Sequence, residues 1–442
     1  MASILGISII AFEGLAIATV APTVATDLGA IGLYAWVFSS FLLAQIVGTV
    51  AAGQVIDRKG AGLPFMLSLV VFGAGLVISG TAPTMLVLIG GRALQGLGGG
   101  GLVAAIYVFI NKGYPDRLRA RMLASISSAW VLPALIGPTI AGFLAERVSW
   151  RVVFLGLLPF LGLVALLSLK ASRLLRSSSQ TIDTKGPSRL AAAVLLSVAT
   201  AVLLAVLRDD PSVVRALLAG AGLVVVAITV RRLLPSGTML ARRGLPAAIA
   251  SRSLFVGGFF CVESFLILAL TTRGGYSATA AGLVISGSAL SWTLGSWIHE
   301  RLDARDTGAR RATVMGGVAL IGAGIAVLVT PLLFGLRPTL PIALIGWGTA
   351  GLGIGLAHTT SSTIAFALTP SGREGQVAAS LQLADFFMPG IVVGFGGALV
   401  EFARSSAGLQ VGIAAAFSLG FLLVALALIA AVRLPSTKDA RA

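Results

Sequence analysis

Residues 84–110, TMLVLIGGRALQGLGGGGLVAAIYVFI, carry a single charge, Arg92, in a run long enough to cross a hydrocarbon layer roughly 30 Å thick as a helix. Comparable runs stand on either side with only short polar breaks. They lie near 3–22, 34–56, 63–81, 121–145 and 152–169, then 191–207 and 212–230, then 246–271, 277–299, 312–331, 340–366, 375–400 and 408–432. Of the 442 residues, 57% are hydrophobic and 11% charged, and the mean hydropathy is +1.00. A water-soluble domain has no core large enough to hide that much apolar surface, so lipid is the solvent for most of these side chains. The expected fold is an all-α membrane protein of fourteen transmembrane helices. Read as a reentrant or surface element, the 191–230 pair would lower the count to twelve.

The net charge of +16 would suggest a nucleic-acid partner in a soluble chain. Position argues otherwise. With loops assigned alternately to the two sides, 23 of the 32 Lys and Arg fall on one side, 7 on the other and 2 inside helices. Such asymmetry marks the richer side as cytoplasmic, with both termini there. The basic balance thus reports topology and no nucleic acid. Cys261, the one cysteine, lies within a helix and offers neither a disulfide nor a metal site. The first apolar run lacks a basic leader and a cleavage site and reads as a retained signal anchor. Arginine exceeds lysine, and alanine and glycine are abundant, as in a high-GC bacterium, so the expected location is a bacterial cytoplasmic membrane.

Three segments follow: 1–170, a six-helix bundle; 171–245, cytoplasmic linkers and two additional helices; and 246–442, a second six-helix bundle. The bundles read as copies of one another. Glu13 answers Glu263 at an offset of 250, and Gly53, Asp57 and Arg58 answer Gly295, Glu300 and Arg301 at 242–243. Gly96 and Gly98 answer Gly351 and Gly353 at 255, and Pro133 answers Pro389 at 256. Duplicated bundles of this kind build transporters around a midplane cavity.

At this point the residues resemble a known family. The turn GQVIDRKGAG (53–62) is similar to the G-x-x-x-D-R-x-G-R-[RK] signature of the major facilitator superfamily. Gly53, Asp57, Arg58 and Gly60 fall on signature positions, while Ala61 and Gly62 replace its basic residues. Arg92, Gln95, Gly96 and Gly98 resemble an R-x-x-Q-G-x-G motif. Pro133, Gly137, Pro138 and Gly142 resemble the G-x-x-x-G-P-x-x-G-G antiporter motif, with Pro133 and Ala141 in place of two glycines. Glu13 falls on the acidic position of the L-D-x-T-I-V-N-V-A-L-P motif when Pro22 is aligned with its proline. The resemblance covers essentially the whole chain and points to the fourteen-helix drug:proton antiporter branch. It implies two pseudo-symmetric bundles, gating at the 53–62 turn, a coupling role for Arg92, and proton-driven efflux with no cofactor.

The residues bear on the same chemistry directly. Arginine within a membrane helix costs roughly 2.5–3.5 kcal/mol, so Arg92 needs a partner or a wet cavity. A carboxylate at the depth of Glu13 must be protonated, paired or hydrated, which suits it to carry protons or meet a cationic substrate. Glu263 and Asp385 are the other acids within helices, and any of the three could couple transport to protons. Against these roles stand structural ones: an acid pinning helices for Glu13, a helix-end acid for Asp385, and a pair with Arg252 for Glu263. Eleven residues, however, separate the last two by roughly 16 Å along one helix. Gln45, Gln95, Asn111, Trp130, Trp292, Trp347 and His358 are candidate cavity residues, though a lone Trp or His in a membrane helix is more often packed or interfacial. There is no Walker-type loop and no HExxH sequence, and Gly98–Gly101 follows no strand. A polytopic enzyme or receptor would need a catalytic cluster or a large soluble loop. The expectation is a monomeric, proton-coupled exporter of hydrophobic or amphipathic small molecules. The alternative is an exporter of a native lipid or metabolite of the cell envelope.

Overall fold

The computed structural model describes residues 2–113, 118, 122, 125, 128–174, 189–208, 212–305, 307–370 and 373–435. Among these residues the regular structure is entirely helical. The helices are α1 (Ala2–Asp27), α2 (Trp36–Lys59), α3 (Gly62–Gly80), α4 (Met85–Gly113), α5 (Val131–Arg147), α6 (Trp150–Leu155), α7 (Leu158–Leu174) and α8 (Arg189–Arg208). They continue as α9 (Val213–Leu233), α10 (Leu245–Thr272), α11 (Ala278–Arg305), α12 (Arg310–Leu333), α13 (Leu340–Ala367), α14 (Glu374–Ser406) and α15 (Leu409–Ala431). Short 3₁₀ turns occur at Ile31–Leu33, Thr238–Leu240 and Thr307–Ala309.

Helices α6 and α7 together make one crossing. The 152–169 run was expected as a single helix, but the chain turns at Gly156 and Leu157, where the Gly156 N–H bonds back to the Val152 carbonyl at 2.8 Å. With these two counted as one, the crossings number fourteen among the described residues. Twelve segments qualify as spans by length and apolarity alone, including α8 and α9. The other two are α5, whose described part is short, and α11, which ends in a charged stretch.

Local chemistry sets the boundaries. Ser149 caps the start of α6 by accepting from the Arg151 N–H at 3.2 Å, and Ser212 caps α9 by accepting from the Arg215 N–H at 3.3 Å. Helix α2 stops at Gly60, whose φ of +76° is a backbone conformation that glycine adopts without strain.

The chain forms two compact units, Met1–Ala201 and Val202–Ala442, with the boundary inside α8. Within the first, α4 packs against α2 and α3, α1 packs against α5 and α7, and α3 packs against α6 and α7. Within the second, α13 packs against α11 and α12, α10 packs against α14 and α15, and α12 packs against α15. The same packing scheme therefore occurs twice.

Backbone-to-backbone contact at glycine sets the register of the repeat. In the first unit a Cβ on Gly48 would meet the Leu97 carbonyl, one on Gly96 the Phe41 carbonyl, and one on Gly100 the Gln45 carbonyl. In the second, Gly295, Gly351 and Gly355 face the carbonyls of Leu352, Ser288 and Trp292 in the same way. The α4/α13 offset is 255 (351 − 96), as the sequence reading has it, but the α2/α11 offset is 247 (295 − 48). Gly53 was expected to answer Gly295 and to permit close helix approach. A Cβ there meets nothing within 4 Å, and Gly48 holds the tight position instead. At the offset of 247, Asp57 and Arg58 correspond to Ala304 and Arg305, and their likeness to Glu300 and Arg301 is local.

Gly48→Ala should lower stability by about 1–3 kcal/mol, because the added methyl meets a carbonyl that belongs to a rigid helix. Gly53→Ala should be close to neutral. Thermal melting of the two purified variants in detergent distinguishes this register from the one centred on Gly53.

Candidate functional site

In the first unit, Arg92 is surrounded by groups from α1, α2 and its own helix α4. Arg92 is 1% exposed and Glu13 2%. The guanidinium donates from Nη1 to Glu13 Oε1 of α1, forming a salt bridge, and from the same nitrogen to Gln95 Oε1 at 2.7 Å. Its Nε donates to the Val37 carbonyl of α2 at 3.0 Å, and its plane lies 4.3 Å over the Phe41 ring. Arg92 and Gln95, three residues apart on α4, share one face. The second carboxylate oxygen of Glu13 and Nε2 of Gln95 are buried with no hydrogen-bond partner among the described residues. Such a network holds a charge pair while leaving one acceptor and one donor open. Gln45 is buried on α2 but is not an acceptor of Arg92.

The second unit has its own buried arginine, which the sequence reading named only as a partner for Glu263. Arg252 of α10, 3% exposed, pairs with Asp385 of α14: Nε to Oδ1 at 2.8 Å and Nη2 to Oδ2 at 2.7 Å. The suggested pairing with Glu263 is thereby corrected, because the guanidinium reaches across to α14 rather than along its own helix. Asp385 also lies well inside α14, so it is not a helix-end acid. Nη1 of Arg252 donates to Ser362 Oγ at 2.6 Å, to the His358 carbonyl at 3.0 Å and to Ser361 Oγ at 3.2 Å, all on α13. The His358 imidazole Nε2 lies 2.7 Å from Arg252 Nη2 and 3.5 Å from Asp385 Oδ2.

Glu263, 9% exposed, forms no salt bridge among the described residues. Its neighbour is Trp347, which is fully buried and lies close enough to act on the carboxylate, although the indole N–H does not reach hydrogen-bonding geometry. The repeat offsets explain this arrangement. Glu263 lies 250 after Glu13 and Trp347 lies 255 after Arg92, so the second unit keeps the acid and replaces the cation with an indole. Phe259 stacks on Trp347 at 4.3 Å, and its ring stands edge-on to Trp292 at 5.8 Å. Trp292 in turn lies 5.6 Å from the His358 ring. Trp292, Trp347 and His358 thus meet in one aromatic wall, whereas Trp130 is 45% exposed at the start of α5. The side chain of Asn111 lies outside the described residues.

The antiporter-like segment forms much of α5. Pro133, Gly137, Pro138 and Gly142 are buried there, and a Cβ on Gly137 would come within 3.2 Å of the Phe12 ring of α1. At the 53–62 turn, Asp57 and Arg58 are exposed. The corresponding turn of the second unit is closed by Arg310, which donates to Asp303 Oδ1 at 2.5 Å and Oδ2 at 2.8 Å. Those bonds hold the Asp303 carboxyl below the usual carboxylate range. The latch therefore persists at neutral pH and is lost as pH falls through that lowered value.

Against known proteins, the sequence profile of the Major Facilitator Superfamily matches residues 2–384. A "Probable multidrug-efflux transporter" of Mycobacterium tuberculosis is 35% identical over 133 residues, or 30% of this chain and 28% of that protein. Multidrug resistance protein 3 of Bacillus subtilis is 31% identical over 34% of this chain and 30% of its own length. The Acurin A biosynthesis cluster MFS-type transporter of Aspergillus aculeatus is 35% identical over 33% of this chain and 26% of its own. The matches thus span less than a third of these relatives, which come from both bacteria and fungi. Among solved structures, a POT family transporter in complex with 5-aminolevulinic acid superposes with a TM-score of 0.70 at 12% identity. It covers 97% of this chain and 95% of its own. At that identity the likeness shows the fold alone.

Arg92→Ala strands the Glu13 carboxylate and should cost about 3–5 kcal/mol, the usual penalty for breaking a buried pair from one side. Adding Glu13→Gln to that variant should recover part of the loss. Melting temperatures of the two single variants and the double variant give the coupling, and strict additivity would contradict the pairing.

Proposed function

Given that the chain belongs to the Major Facilitator Superfamily and is a multi-pass membrane transporter rather than an enzyme, we propose that it is a proton-coupled exporter of hydrophobic or amphipathic small molecules. The observation that carries this reading is the Glu13–Arg92 pair. Glu13 is deeply buried, one oxygen is held by Arg92, and the other has no partner among the described residues. A proton arriving on that open oxygen cancels the charge that Arg92 balances. The guanidinium then keeps only the Val37 carbonyl, Gln95 and the Phe41 face. Protonation thus changes the relative cost of conformations that differ in how Arg92 is solvated, which is what coupling by alternating access requires. The proton gradient supplies the energy with no resident cofactor. The chain acts as a monomer in the cytoplasmic membrane of a bacterium with both termini inside.

The multidrug efflux named for the mycobacterial relative and the multidrug resistance named for the Bacillus one support drug-like cargo. The biosynthesis-cluster relative supports a second reading, export of a native metabolite. Drug susceptibility of a deletion strain, compared with its extracellular metabolite and envelope lipid profile, separates the two.

In proteoliposomes under an imposed pH gradient, the wild-type protein should move a lipophilic dye. Glu13→Gln should lose gradient-driven transport by at least about tenfold while remaining folded. Undiminished gradient-driven transport by that variant would remove Glu13 from the mechanism.

A further inference from the structure

The His358 imidazole occupies a position that only one protonation state can fill. Its Nε2 lies 2.7 Å from Arg252 Nη2, and a guanidinium nitrogen carries donors and no acceptor. Nε2 must therefore be the acceptor, which makes the imidazole neutral with its proton on Nδ1. The same Nε2 stands 3.5 Å from Asp385 Oδ2, the oxygen that Arg252 Nη2 holds at 2.7 Å. Three groups thus converge on one locus, and a single proton decides their pairing.

We propose that His358 is a proton-binding site of the second unit, and that a proton on Nε2 moves Asp385 Oδ2 from Arg252 to His358. When Nε2 gains a proton from water, two donors face each other at a distance that neither tolerates. Nη2 withdraws, and the new N–H donates to the carboxylate oxygen beside it. An O–H bond of a hydronium ion breaks as the N–H forms, releasing water, and no other covalent bond changes. Arg252 remains held by its Nε bond to Asp385 Oδ1 and by Ser362, Ser361 and the His358 carbonyl, so it need not leave its place.

Before protonation, the guanidinium ties α10 to both α13 and α14. Afterwards α13 and α14 are joined directly through His358 and Asp385, and the α10–α14 tie is halved. Arg252 and Asp385 are the charged groups that act on the imidazole among the described residues. Its other neighbours are neutral: Ser361 and Ser362 on α13, and Trp292 of α11, whose ring stands 5.6 Å away at 61°. The imidazole and carboxylate side chains are 28% and 22% exposed and that of Arg252 is 4%, so the first two form the open side of the cluster.

A place in transport for this site rests on the proton-coupled reading above, but the proton binding can be measured without transport. The chain has two histidines, His299 and His358, so ¹⁵N-imidazole spectra of the labelled full-length protein in lipid nanodiscs hold two sets of signals, assigned by His358→Gln. At pH 8 the His358 signals should show a protonated Nδ1 and a bare Nε2, converting to the doubly protonated ring by pH 5. Asp385→Asn, which removes the negative charge opposite the new N–H, should weaken that proton binding about tenfold. A protonated Nε2 at pH 8, an imidazole neutral down to pH 5, or a titration unchanged in Asp385→Asn would overturn the proposal. Glu13→Gln should leave the His358 titration in place. Loss of coupling in Glu13→Gln with no His358 titration therefore sinks this proposal alone, and the reverse pattern sinks the coupling role of Glu13 alone.

Discussion

A guanidinium sealed inside a lipid-embedded bundle has to be surrounded by acceptors, and much of what is specific in each unit follows from that demand. Arg92 recruits a carboxylate from α1, an amide from its own helix, a carbonyl from α2 and an aromatic face. Arg252 recruits a carboxylate from α14 and a cluster of oxygens from α13. In both, helices that contribute to the site are joined by the same cation. The desolvation cost of such charges falls only when several elements converge at once, so the ion pair and the packing are one arrangement. The two units solve the problem with different helices, however. The copied acid in the second unit, Glu263, faces an indole rather than a cation, and its arginine has moved to α10.

Close glycine contact is what lets the elements converge. The carbonyls of α2 lie directly on Gly96 and Gly100, and those of α11 on Gly351 and Gly355. Without side chains between them, neighbouring helices in a membrane gain dispersion contact that lipid tails cannot match. The glycine-rich run at 98–101, which has the composition of a nucleotide loop, is explained in this way. Gly98 faces the Phe72 backbone of α3 and Gly101 faces Ser68.

Most of this architecture was legible in the sequence because hydropathy is a strong signal when the solvent is hydrocarbon. Where they lie among the described residues, the helix boundaries fall within a few residues of the apolar runs, except at 152–169, where the helix is interrupted just ahead of Pro159, which has no N–H to offer the Leu155 carbonyl; most of the start of the 121–145 run lies outside the described residues. Glu13 and Arg92 were also legible singly, as charges where none is cheap. Their pairing was not, since nothing in sequence spacing brings residues 79 positions apart into contact. Arg252 offered the same signal as Arg92, being the other cation inside a helix, but its carboxylate stands 133 positions away on another helix. Gly48 carried no motif at all, and only the interhelical geometry distinguishes it from Gly53.

The seam between α2 and α4, repeated between α11 and α13, also limits which degrees of freedom remain. Where a carbonyl rests on a Cα with no side chain interposed, two helices cannot slide or roll past each other without a backbone collision. Shear across each seam is thereby opposed, so that α2 with α4, and α11 with α13, move as stiff pairs. Compliance is left to the proline-bearing helices outside these pairs, α1 and α5 in one unit and α12 and α14 in the other, whose missing backbone donors make them the softer members.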